Sequence, residues 1–62
     1  MSDKFDRLCA LVKRADELRR VSEGAEFQAF TWCRDEASGI ARAWREGREF
    51  GHNVAAVWAE AI

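Results

Sequence analysis

The chain has 62 residues with ten Lys or Arg, eleven Asp or Glu and one His, for a formal net charge of −1, and it has no proline. This length allows one domain at most, and a chain so short buries only about 60% of its unfolded surface. A 34% charged and 48% hydrophobic content excludes a disordered chain. Balanced halves, six basic against six acidic in residues 1–31 and four against five in residues 32–62, exclude a basic arm or an acidic tail.

The start, Met-Ser-Asp-Lys-Phe-Asp, is charged and does not read as a signal peptide, and no apolar stretch approaches a membrane span. The expected compartment is therefore the cytosol, with no membrane partner and with both cysteines reduced. Ser2 is placed to cap a first helix, and Asp3 and Asp6 suit the positive end of its dipole. Phe5, Leu8, Leu11, Val12, Ala15 and Leu18 recur at i, i+3, i+4 and i+7, which predicts a helix over about 3–21. Lys13, Arg14, Arg19 and Arg20 crowd its last turns, where cations favour the dipole.

Ser22-Glu23-Gly24 is the predicted break. Ser22 is the expected cap of the next helix, and Gly24 permits a sharp reversal. So short a connection makes the two helices antiparallel neighbours. Taking the turn at residue 23, residue i lies opposite about 46 − i, and helix 1 runs out near Ala43.

The second helix starts near Ala25, and its end is the main structural question. At about 100° per residue, Phe30, Cys33, Ala37, Ile40, Trp44, Val54, Trp58 and Ile62 share one side. Gly47 and Gly51 also fall on that side and do not reset the phase. The favoured reading is one helix from about residue 25 to the C-terminus, roughly 57 Å long, supported by the pairs Arg42–Glu46 and Arg45–Glu49. Trp44, Phe50, Val54, Val57, Trp58 and Ile62 would then be an apolar stripe without intrachain cover, which an antiparallel second copy would bury. The alternative stops the helix at Gly47, uses 47–53 as a turn, and folds a third helix back over the hairpin. Propensity favours that break, since each glycine costs up to about 1 kcal/mol in a helix.

The expected fold class is therefore all-α, a helical hairpin with a long second helix that dimerises into a bundle, with a compact three-helix domain as the alternative. The expected interface is Trp32, Trp44, Gly47, Phe50, Gly51, Val54, Trp58 and Ile62. Aromatic anchors are enriched at such surfaces, although tryptophan in a small helical domain commonly packs in the core. Ala43, Gly47, Gly51 and Ala55 place a small residue at every fourth position, a ridge that would admit a partner helix. Its drift of about 40° per step weakens that reading.

The remaining residues say less. Cys9 and Cys33 read as buried free thiols, lacking any zinc-site spacing. His52, the single histidine, reads as a surface residue, and Glu36 as an edge carboxylate that could also set register between chains. Arg34, Arg42, Arg45 and Arg48 are candidate phosphate contacts, but Asp35, Glu46 and Glu49 interleave with them and the pI is near 5.7. Helices of this length also fit a helix-turn-helix geometry poorly. No nucleophile, base and acid come together in the pattern, so no enzyme activity, metal or cofactor is expected. The functional expectation is a small interaction module acting by occupancy on a larger protein, as regulator, adaptor or inhibitor, of the size typical of phage and mobile-element accessory proteins. A dimeric nucleic-acid-binding regulator is the alternative.

Overall fold

The computed structural model describes residues 3–62, so the Ser2 cap lies outside the described residues. Three helices follow in order: α1 over Asp3–Arg20, α2 over Gly24–Arg45 and α3 over His52–Ala61. There is no strand among the described residues. The domain is all-α, and α1 and α2 form the expected hairpin.

Helix α1 carries Asp3 and Asp6 in its first turn and Arg19 and Arg20 in its last. Its inner face is Leu8, Leu11 and Ala15, with Val12 packed beside them. At its end, the Val21 and Ser22 amides donate to the Leu18 and Arg19 carbonyls at 3.2 and 3.3 Å. The Ser22 hydroxyl donates to the Leu18 carbonyl at 2.7 Å. Ser22 thus closes α1 and does not open α2, contrary to the expectation. Extended Glu23 precedes α2 and caps nothing with its side chain, and Gly24 at φ +64° makes the reversal.

The long second helix is not formed. Helix α2 ends at Arg45, and Gly47 follows at φ +86°. The Arg48 amide reaches back to the Ala43 carbonyl at 2.9 Å, and the Gly47 amide to Trp44 at 3.1 Å. That pair of bonds is a Schellman motif, which satisfies end carbonyls and needs a left-handed residue at the glycine. Gly51, at φ +78°, precedes α3. The Trp44 indole N–H donates to the Phe50 carbonyl at 2.8 Å and ties the connection down. The shared apolar phase has a simple origin. Ile40 and Trp58, like Trp44 and Ile62, are separated by 18 residues, which is about five whole turns of an α-helix, so phase is kept whether or not the helix continues.

The ion pairs invoked for continuity are likewise replaced. Glu46 pairs with Arg48 at 2.6 Å, and Glu49 lies 4.0 Å from His52. The small-residue ridge does not exist as a helix face, because Gly47 and Gly51 lie outside both helices. Ala43 is instead buried in the fold, and Ala55 packs against its core.

The core consists of Leu8, Leu11 and Ala15 from α1 with Cys33, Ala37 and Ile40 from α2. Helix α3 supplies no fully buried residue, but Ala55, Trp58 and Ile62 cover the open side of the hairpin. The molecule measures 35 × 18 × 17 Å, far short of a 57 Å rod. Cys33 is buried as expected, but Cys9 is exposed, lining a shallow groove with Val12 of α1 and Ser38 and Ala41 of α2. No helix among the described residues is long and apolar enough to cross a membrane.

Candidate interaction surface

Helix α3 has two apolar stripes, and they meet different fates. Ala55, Trp58 and Ile62, continued backward by Gly51, recur at i, i+4, i+7 and i+11 and face the hairpin. Val54, Val57 and Ala61 lie about 100° round the helix from that row and stay exposed, and Phe50, in the connection ahead of left-handed Gly51, is exposed as well. Phe50 keeps 55% of its surface, Val54 39% and Val57 66%.

Two contacts fix how α3 lies. A Cβ at Gly51 would meet Ile40 of α2, and the Trp58 indole N–H donates to the Glu36 carboxylate at 3.0 Å. The chain therefore runs down α3 as it runs back up α2. Trp32, 56% exposed, stands one turn before Glu36 on α2, beside the C-terminal half of α3. Helical rotation puts the outer stripe on the α2 flank of α3, since His52, Ala56 and Ala59 occupy the flank that borders α1. Trp32 and the outer stripe thus share one side of the molecule.

The expected interface residues divide accordingly. Trp32, Phe50 and Val54 are exposed, and Gly47 sits exposed in the turn. Trp44, Gly51, Trp58 and Ile62 are half-buried and turned inward. The premise that the whole 44–62 stripe lacks intrachain cover is therefore corrected: a third helix covers one of its two rows. Both inward indoles have acceptors, and Trp44 also stacks on His52 with ring centroids 4.5 Å apart and planes at 26°. Glu36 takes its partner from α3 of its own chain. Val57 and Ala61 complete the outer row but were absent from the expected set. Their signal was the 54, 57, 61 spacing, which a single continuous stripe concealed.

Two groups of charged side chains are paired within the chain, one around Asp16 and one at the end of α2. Asp16 accepts from Arg19 at 2.9 Å, Arg20 at 3.0 Å and Arg34 at 3.4 Å, joining α1 to α2. The Arg19 hydrogen bond, with Arg34 and Arg20 adding to it, holds the Asp16 carboxyl below the usual carboxylate range. Arg34 also meets Asp35 at 3.0 Å, and Arg48 meets Glu46. Of the four candidate phosphate contacts, Arg34 and Arg48 thus already hold carboxylates, whereas Arg42 and Arg45 are exposed beside the groove between α1 and α2. Arg19 also lies over the Phe27 ring, 5.6 Å from its centroid.

Burial pushes the Cys33 thiol up to about 11, with the Glu36 carboxylate adding to the shift. A thiol so placed is a packing group and not a nucleophile at neutral pH. No group of three or more His, Cys, Asp or Glu among the described residues is arranged to hold a metal ion. A shallow groove of about 370 Å³ between α1 and α3 is lined by Leu8, Leu11, Ala55 and Ala59, with Lys4 and Arg7 at its edge. No family model, no curated protein and no solved structure matches this chain.

Proposed function

We propose that this chain is a small protein–protein interaction module, working in the cytosol and acting by occupancy as a regulator, adaptor or inhibitor. The observation that carries the reading is Trp32 with Phe50, Val54 and Val57: four of the six large apolar side chains exposed among the described residues, at 39–66%, with Val21 and Phe27 the other two. Large aromatic and branched side chains held on a folded domain lose little freedom on contact and exclude water well. Around them, paired charges such as Arg34–Asp35 give orientation and not raw affinity.

The test is site-specific photocrosslinking in expressing cells. A benzophenone amino acid replaces Val57 in one variant and Lys13, exposed on α1, in another. One dominant adduct from position 57, identified by mass spectrometry as a second copy or as one other protein, supports the reading. Scattered adducts of equal yield from both positions overturn it.

A further inference from the structure

We infer that the groove between α1 and α2 is an anion site, suited to a small phosphate monoester with an apolar body. Half-buried Val12 of α1 and Ala41 of α2 form its floor, with Cys9 on the α1 wall and Ser38, Arg42 and Arg45 along the α2 wall. The hollow measures about 300 Å³, and no carboxylate lines it. No residue of α3 lines it either, so the site stands apart from the surface of Trp32 and Val57.

The break in the second helix leaves these two arginines without mates. In a continuous helix Arg42 would reach Glu46 and Arg45 would reach Glu49, each four residues on. The turn at Gly47 takes both acids away. Glu46 holds Arg48 at 2.6 Å, and Glu49 lies by His52. Among the described residues neither Arg42 nor Arg45 holds a carboxylate, whereas Arg34, further along the same hairpin, holds both Asp16 and Asp35.

Charge and geometry set the ligand class. Arg42 and Arg45 are one turn apart, with Cβ atoms about 5–6 Å from each other, so both guanidinium forks can converge on one group of oxygens. Each fork matches the edge of a phosphate. Ser38, one turn before Arg42, adds a hydroxyl donor. Two full cations and a hydroxyl outmatch a single carboxylate. They suit a phosphate monoester, with a charge of about −1.5 to −2 at neutral pH and three acceptor oxygens. The negative end of α2 opposes an anion here, since both arginines lie in its last turn. The positive end of α1 lies at the same end of the antiparallel hairpin and offsets it. Val12 and Ala41 then cover one face of the group that carries the phosphate, which favours an aryl or alkyl ester over the inorganic ion. A nucleic-acid strand fits less well, because its diesters carry one charge each and a pI near 5.7 denies it a broad basic face.

The experiment is a nuclear magnetic resonance titration of the full chain with phenyl phosphate at constant ionic strength. Inorganic phosphate, benzoate and a single-stranded oligonucleotide are the other arms. The expected shifts saturate and centre on the Cys9, Val12, Ser38 and Ala41 amides and the Arg42 and Arg45 Nε–H groups. Phenyl phosphate binds several-fold more tightly than inorganic phosphate or benzoate, and it slows alkylation of exposed Cys9 by iodoacetamide. Arg42→Gln with Arg45→Gln abolishes the shifts. Arg42→Lys with Arg45→Lys keeps both charges but loses the forks, and weakens binding several-fold. If the glutamine variant loses helix, the lysine variant decides. Lys13→Gln, exposed on α1 and outside the hollow, binds as the wild type does. The proposal is overturned by the absence of shifts, by unsaturated shifts spread over all the basic residues, or by undiminished binding in the lysine variant. An oligonucleotide that binds more tightly than phenyl phosphate overturns it as well.

Discussion

Replacing Gly51 by alanine separates the three-helix fold from a continuous second helix by the sign of its effect. Gly51 sits at φ +78°, where a side chain costs about 1–2 kcal/mol. An added Cβ would also lie 2.7 Å from Ile40 Cγ1, 2.8 Å from its Cδ1 and 3.3 Å from its Cγ2. Ile40 is β-branched and only 5% exposed, so it cannot turn aside without leaving the core. Overpacking of this kind costs about 1–3 kcal/mol, giving a total of about 2–5 kcal/mol for Gly51→Ala. Gly47 is also left-handed, at φ +86°, but a Cβ there meets nothing within 4 Å, so Gly47→Ala loses only about 1–2 kcal/mol. Gly39 lies inside α2 with open space around it, and Gly39→Ala gains about 0.5–1 kcal/mol from helix propensity. A domain of this size has roughly 3–9 kcal/mol in all, so the Gly51 loss is severe. Urea titration followed at 222 nm should rank the midpoints Gly39→Ala, wild type, Gly47→Ala, Gly51→Ala from highest to lowest. A continuous helix would make all three substitutions stabilising. Midpoints for Gly47→Ala and Gly51→Ala at or above wild type would refute the reasoning.

Three further outcomes follow from the same contacts. Iodoacetamide at neutral pH should modify Cys9 alone in the folded protein and both thiols in denaturant, because Cys33 is buried with its thiol raised to about 11; two native adducts on the intact mass would contradict this. The Asp16 carboxyl is lowered in the fold by Arg19, Arg34 and Arg20, so its contribution is present above its ordinary value of 3.8 and is lost as pH falls through the lower folded value. The thermal midpoint of Asp16→Asn should therefore fall less steeply on acidification below that value than the midpoint of the wild type. Trp58→Phe removes the indole hydrogen bond to Glu36 and should cost about 0.5–1.5 kcal/mol in a urea titration, while Glu36→Gln, which keeps an acceptor, should cost less.

Much of the fold was legible because α1 is a plain case. Leu8, Leu11 and Ala15 keep their period, acids and bases mark the two ends, and Gly24 follows within four residues of the last turn. The second half was harder for a definite reason. The 18-residue separation of Ile40 from Trp58 preserves helical phase across a loop, so phase was a poor witness to continuity. Glycine chemistry was the better guide: Gly47 at the end of α2 and Gly51 ahead of α3 are left-handed, and neither is a helix residue. Ser22 misled because a hydroxyl between two helices can accept from the next helix or donate to the last, and here it donates backward to Leu18. Val54 and Val57 were legible as apolar and uncovered, but not as separate from the row of Trp58 and Ile62 that the hairpin covers. Which of two adjacent rows faces inward depends on where the hairpin lies, and the row spacing is the same for both.

The composition of the core links this exposed row to stability. Of the seven buried residues among those described, four are Ala15, Ala37, Ala43 and Cys33, so α1 and α2 bury little apolar volume between them. Helix α3 adds no fully buried side chain and is held by half-buried Ala55, Trp58 and Ile62 with two indole hydrogen bonds at its edges. It is the element expected to open first, ahead of the α1–α2 hairpin. An occupant on Phe50, Val54 and Val57 binds only while α3 is docked, so it stabilises the whole fold by about 2.7 kcal/mol at a hundred times its dissociation constant. If that occupant is a second copy, the thermal midpoint rises with protein concentration in the wild type. In Val57→Asp it stays flat, at the value the wild type reaches on dilution. A wild-type midpoint that does not change between dilute and concentrated samples would detach the outer row from stability and leave α3 supported by its inner row alone.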